Sequence, residues 1–435
     1  MLKELLSAKI LSQLILTLGG YLLLAAVIPR TDFTSFIAIY TLLFFGYLLL
    51  IRAKLNLASI FTIGLASRLI FLSCTPSLSD DVYRFLWDGR LWTQGVNPFQ
   101  YIPQYFIDNP NNLKGLEELY PHLNSKQYFA IYPPINQFIF GITALLVPAG
   151  FFKAQLTLKL ILIAGEFLLF RYGVKLLKTH NLNPGLIGLY FLNPLVIIEI
   201  TGNLHFEGLM STFVLASFYY LKTNRWALSS IAFAFAICTK LLPILYLPLL
   251  LPILGLSKTI KYNVLTLTVC ALLFLPFLNL ELAMNMLNSI DLYYQSFKFN
   301  SFIYSVLLDL LGEESKVWIG LILALIPALF ILRLAFKKGD YKSVIERSFG
   351  AHTLYYIFSA VVHPWYLVTL LALNTILQHK FIIIWSYLIG LSYFTYRTLP
   401  YEESSFVIAI QYLVVLIWAA IEYSKQKNQS KLATA

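Results

Sequence analysis

Apolar runs near 20 residues long recur along the whole chain, and they limit the fold more than any single motif does. They fall near residues 8–28, 33–51, 56–73, 134–150, 157–174, 184–201, 207–221, 226–239, 241–255 and 262–278. Five more follow near 315–334, 345–362, 365–378, 381–398 and 405–422. About 20 apolar residues match the hydrocarbon core of a bilayer. A chain within that core must satisfy its own backbone N–H and C=O groups, which leaves helices or a closed barrel. Runs of this length read as helices, so the expectation is an all-α, polytopic transmembrane protein. With 59% hydrophobic and 12% charged residues, the chain is far more apolar than a soluble domain.

The formal charge of +11 does not point to nucleic acid, because the Lys and Arg residues are scattered in short clusters between apolar runs. They read as topology signals. Cys74, Cys238 and Cys270 lie in or beside apolar segments without CxxC spacing, so neither a disulfide framework nor a zinc site is expected. Leu5 to Ile28 is long enough to stay as a helix and lacks a small-residue cleavage site, so no cleavable signal peptide is expected.

Placing Lys3 and Lys9 in the cytoplasm puts Arg52 and Lys54 there and residues 75–131 outside. If the run 134–150 also spans, the basic clusters Lys175/Lys178, Lys222/Arg225, Lys258/Lys261 and Lys337/Lys338 all face outward. If it instead lies along the outer face or re-enters, every one of them is cytoplasmic, as the positive-inside rule favours. The second arrangement gives about fourteen spans, an outer-face or re-entrant helix, and one integral membrane domain over residues 1–422. Residues 423–435 then form a basic cytoplasmic tail, and the polar motifs open onto the non-cytoplasmic side.

The longest segment between runs holds the densest charge. Ser79 to Phe99 carries Asp80, Asp81, Asp88, Arg84 and Arg90. Spacings of four place Asp80, Arg84 and Asp88 on one helical face, with Ser79 as a candidate N-cap. Capping alone accounts for one Asp, and Arg84 suits a scaffold salt bridge as well as a substrate contact. Glu199, His205 and Glu207 flank Gly202 at the outer end of a run, without HExxH spacing. A tight interhelical turn is one account of His205 and phosphate contact the other. Lys240 has no acidic residue within several positions, so it either snorkels or meets an anion, of which phosphate is the natural one. His363, before Pro364-Trp365-Tyr366, and Arg397 also fall at outer ends.

Ser79-Asp80-Asp81-Val82-Tyr83-Arg84, then Trp87-Asp88-Gly89-Arg90 and Gly95-Val96-Asn97-Pro98, resembles the first outer loop of bacterial polyprenol-phosphate-mannose-dependent mannosyltransferases of the GT-C superfamily. Tyr132-Pro133-Pro134, Asn193-Pro194-Leu195, Gly202-Asn203-Leu204-His205, Lys240 with Pro243, and His363-Pro364-Trp365-Tyr366 look like further landmarks of that group. The chain departs from many of its members in having two spans before the span that leads into the motif loop. The resemblance implies an inverting membrane glycosyltransferase that takes a hexose, here mannose, from a polyprenyl phosphate. It also implies an acidic base in the first outer loop, Asp80 or Asp81.

The chemistry suits such residues. A hydroxyl nucleophile needs one carboxylate to accept its proton, and a departing phosphate needs positive charge rather than an acid. Arg84, Asp88, His205, Glu207, Lys240, His363 and Arg397 are the candidate substrate and phosphate contacts. No metal or cofactor is expected. The partners are a polyprenyl-phosphate sugar, a glycan or glycolipid acceptor of the cell envelope, and the bilayer. The alternative is a transporter or flippase for a lipid-linked sugar, against which stands the absence of an internal repeat.

Overall fold

The computed structural model describes residues 8–109, 113–148 and 150–434, with side chains for 10–109, 113–148, 150–289 and 297–425. Lys3, Lys9 and the tail cations Lys427 and Lys431, used above for topology, lie outside the described side chains. The described chain is all-helical, with a single isolated bridge between Phe299 and Val361.

Four helices are long and apolar enough to cross a membrane unaided: Phe33–Arg52, Leu242–Phe277, Glu313–Ala335 and Ser405–Lys425. A fifth crossing results if Pro184–Phe191 and Pro194–Gly202, bent by 56° at their junction, count together. The other runs are shorter pieces, such as Ile10–Ala26, Leu57–Ser73 and Trp226–Ile237, or carry charges, such as Phe151–Thr179 with Lys159, Glu166 and Arg171. The composition runs therefore overcount unbroken spans, because proline and glycine cut them: Pro194 starts a new segment, and Gly255 sits at φ 71° inside Leu251–Phe274. Pro134–Leu146 has 13 residues, or about 20 Å of helix, too short for a bilayer core of about 30 Å.

Three contacts deliver the motif loop to its place. Arg68 is fully buried and donates to Glu166 at 2.6 Å, while Glu166 accepts from Tyr190 at 2.7 Å. This pair pins Leu57–Ile70 to Phe151–Thr179. The buried Lys159 then donates to the carbonyls of Phe71, at 2.6 Å, and Cys74, holding the chain as it leaves that helix. Finally, Asp81–Thr93 packs on Pro134–Leu146, with the Phe85 and Phe140 rings stacked at 4.7 Å. Gly89 makes this approach possible, since a Cβ there would lie 2.4 Å from the carbonyl oxygen of Phe140.

Two groups of polar contacts lie at opposite ends of the helices Glu207–Lys222 and Tyr341–Phe358. At one end lie residue 30, residues 80–81, 205–207, 240, 363 and 396–401. At the other, Lys222 covers the Tyr341 ring at 5.1 Å and His379 meets Glu422 at 3.1 Å. The helices Glu207–Lys222 and Tyr341–Phe358 run from one cluster to the other.

Candidate active site

Asp80 occupies the N-cap position of Asp81–Thr93 but makes no capping bond, while Ser79 Oγ accepts from the Asp81 N–H at 3.3 Å. Ser79 is thus not the cap that the sequence suggested. Asp80 instead accepts from Arg30 Nη1 at 2.8 Å, with 38% of its side chain exposed. Arg30 also donates to the Tyr401 hydroxyl at 2.9 Å and lies over the Tyr396 ring at 5.5 Å.

Asp81 sits deeper. Its Oδ1 accepts from Asn124 Nδ2 at 3.0 Å. Burial raises its pKa above the ordinary aspartate value, with the Asn124 amide, the Lys240 ammonium and the Tyr132 hydroxyl pulling the other way. Lys240 lies 5.9 Å from the centre of the Tyr132 ring.

Lys240 is not the lone cation that its sequence neighbourhood implied. Its Nζ lies 2.9 Å from Glu207 Oε1, an acid 33 positions earlier on the next helix. Glu207 is buried, whereas Lys240 keeps 29% of its side chain exposed. Two bonds fix the turn that carries it: the Ile135 N–H donates to the Cys238 carbonyl at 3.0 Å and the Asn136 side-chain amide to that of Thr239 at 2.9 Å.

His205 follows a strained turn. Residues Ile197–Gly202 form a turn of π-helix, with the Asn203 N–H bonded to Ile198 at 2.9 Å, and buried Leu204 takes φ 66°. Such turns and left-handed non-glycine residues cluster at functional sites. The His205 ring stacks on Trp365 at 3.6 Å between centroids, and the opposite neighbour, His363, lies 4.2 Å from Trp365. The bridge between Phe299 and Val361 holds the His363 segment, whose ring also stacks on Phe299 at 4.7 Å.

The structure brings Asp80, Asp81, His205, Glu207, Lys240 and His363 to one end of the bundle. Arg84 and Asp88 are buried and bonded to one another. Arg84 Nε pairs with Asp88 at 2.7 Å, its Nη1 donates to the carbonyls of Ser125 and Tyr128, and Asp88 takes a further bond from Gln137 at 3.0 Å. Asp88 is fully buried. Arg84 thus forms the salt bridge that its spacing allowed, with Asp88 as the partner while Asp80 turns to Arg30. Arg397 folds over the Phe394 ring at 3.6 Å, and it is Arg30 that meets the acidic pair.

Sequence reasoning missed Arg30, Tyr396 and Tyr401. A signal existed for Arg30: the charge assignment already placed the turn between the first two runs on the same side as Asp80, and Arg30 is the cation in it. Among the described residues no group of three or more His, Cys, Asp and Glu is arranged to hold a metal ion.

Residues 9–255 match the family described as alpha-(1->6)-mannopyranosyltransferase, N-terminal domain, MptA_B family. The chain is also similar to alpha-(1->6)-mannopyranosyltransferase A of Mycobacterium tuberculosis (strain ATCC 25618 / H37Rv), at 29% identity over 184 residues. That alignment covers 41% of this chain and 34% of the relative, so the chain spans about a third of the length of the protein it matches. The matched region takes in the motif helix, the π-turn with His205 and the Glu207–Lys240 pair, and on a match over more than half of its length the chain belongs to the MptA_B mannopyranosyltransferase family.

Proposed function

We propose that this protein is a membrane-embedded mannosyltransferase that moves mannose from a polyprenyl-phosphate donor to a hydroxyl of a cell-envelope glycan or glycolipid, with inversion. The observation that carries the reading is the meeting of Asp81 and Lys240 around Tyr132: Lys240 lies 5.9 Å from the Tyr132 ring, and Asp81, whose proton affinity burial raises, faces both the Tyr132 hydroxyl and the Lys240 ammonium. Asp81 and Lys240 are the two groups the transfer needs, a base for the attacking hydroxyl and positive charge for the departing phosphate. Family membership supports mannose as the sugar.

In this reading Asp81 takes the acceptor proton as its oxygen attacks the anomeric carbon. Asp80, held by Arg30, orients Asp81 or binds an acceptor hydroxyl. Lys240 and Arg30 face the phosphate, His205 and His363 line the site, and Arg84 and Asp88 hold the loop in shape. One base and no covalent sugar intermediate give inversion, through an oxocarbenium-like transition state. The reading takes about fourteen crossings, as the apolar runs and the positive-inside rule favour, with the site on the non-cytoplasmic face, where a lipid-borne sugar is reached from within the membrane.

The deciding experiment incubates purified protein in liposomes with labelled polyprenyl-phosphate mannose and a short alkyl mannoside. Acceptor-dependent release of polyprenyl phosphate with a new mannosyl linkage is expected. Movement of intact donor between leaflets without transfer overturns the reading.

A further inference from the structure

One buried carboxylate in this region has no part in the chemistry above. Glu199 lies in the π-turn and is fully buried. Its Oε1 accepts from the Tyr393 hydroxyl at 2.5 Å and its Oε2 from Asn203 Nδ2 at 3.2 Å. His205 Nε2 lies 3.6 Å from the same Oε2. Asn203 in turn accepts from the Leu78 N–H at 3.2 Å, immediately before Ser79-Asp80-Asp81. Three stretches of chain are thus tied together through Glu199 and Asn203: the π-turn with the His205 turn that continues it, the entry to the motif helix, and residues 389–397.

We infer that Glu199 is the positioning residue of the site, a carboxylate that orients His205 and, through Asn203, anchors the chain carrying Asp80 and Asp81. The inference rests on the glycosyltransferase reading for its kinetic arm. A carboxylate suits this point because it only accepts, and so it can face the Tyr393 O–H, the Asn203 amide and the His205 Nε2–H together. A glutamine there presents two hydrogens to one of those three donors. A carboxylate near Nε2 also favours the proton on that nitrogen and leaves the lone pair on Nδ1. Burying a charge for packing alone is unfavourable, since an apolar side chain of similar volume fills the same space at no cost in desolvation. The groups that face His205 electrostatically are Glu199, Lys240 and His363.

The test is Glu199→Gln in the full chain, read in two ways. In the transfer assay with polyprenyl-phosphate mannose and an alkyl mannoside, kcat falls about 10²-fold, the scale of a displaced catalytic group, while donor KM stays near the wild-type value. Glu199→Asp recovers part of the loss, and adding Glu199→Gln to His205→Gln costs little more, because the two act as a unit. The second readout needs no turnover. Fluorescence of Trp365, taken as the difference from a Trp365→Phe control in a His363→Gln background, follows protonation of the ring stacked on it. Glu199→Gln shifts that midpoint, because the group facing the ring nitrogen changes from a carboxyl to an amide. An unchanged midpoint overturns the inference even if the wild-type protein transfers nothing, and so do an unchanged kcat, additive losses with His205→Gln, or a parallel collapse of KM, kcat and folded yield. A wild-type protein that transfers no sugar, with the midpoint shift present, counts against the glycosyltransferase reading alone.

Discussion

Lys240 and Glu207 form an ion pair at 2.9 Å between the turn after Trp226–Ile237 and the start of the helix Glu207–Lys222, the acid buried and the lysine side chain partly exposed. This pair changes what a substitution at Lys240 does. An unpaired intramembrane lysine is a net cost, and its removal relieves that cost. A paired one leaves a buried carboxylate behind when it goes.

Lys240→Met is therefore expected to destabilise the protein, by about 2 kcal/mol. That is below the about 3–5 kcal/mol of a fully buried pair, because the Lys240 side chain is partly exposed. Lys240→Met combined with Glu207→Leu should regain most of it. Thermal unfolding in detergent reads both values, and a Lys240→Met variant as stable as the wild type refutes the pairing.

Asp81→Asn is expected to lower kcat by about 10²- to 10⁴-fold while donor binding and folded yield persist. Asp81 works as a base only when deprotonated, and burial raises its pKa. The acid limb of the wild-type pH–kcat profile should therefore lie above the ordinary aspartate range, with activity rising as pH rises through it. A profile flat down to the ordinary range, or full activity in Asp81→Asn, excludes Asp81 as the base.

Arg30→Gln should leave stability nearly unchanged, since the pair with Asp80 is partly exposed and such pairs contribute about 0–1 kcal/mol. Donor KM is expected to rise, and the rise should shrink as salt is added, because screening already weakens the wild-type contact. A large fall in melting temperature with unaltered KM makes Arg30 a strut and nothing more.

Gly89→Ala is expected to cost about 1–3 kcal/mol, because the added carbon meets the backbone of Pro134–Leu146 rather than a side chain that could turn away. Melting temperature and the yield of folded protein measure this. A neutral result shows that the two helices do not pack this closely.

Cysteine labelling of intact cells, in a variant lacking Cys74, Cys238 and Cys270, should modify Lys114→Cys from outside and spare Lys222→Cys. The reverse pattern moves the site to the cytoplasmic face.

The helical, membrane-spanning character of this chain was legible in its sequence, because the bilayer's demand for internal backbone hydrogen bonds acts on each apolar run separately. The acidic motif was legible for a similar reason: adjacent charges in an apolar chain stand out locally, whatever the fold. What the tertiary structure decided is pairing between distant positions. Glu207 is invisible as Lys240's partner to any reading of near neighbours, and Arg30 lies 50 residues from Asp80. Asp80, Arg84 and Asp88 share a helical face by spacing, yet only packing sends Asp80 toward Arg30 and buries Arg84 with Asp88 against Gln137. Charge periodicity along one helix shows which side chains are neighbours on it, whereas the helix on which a partner stands depends on how desolvation and close packing are satisfied across the whole bundle.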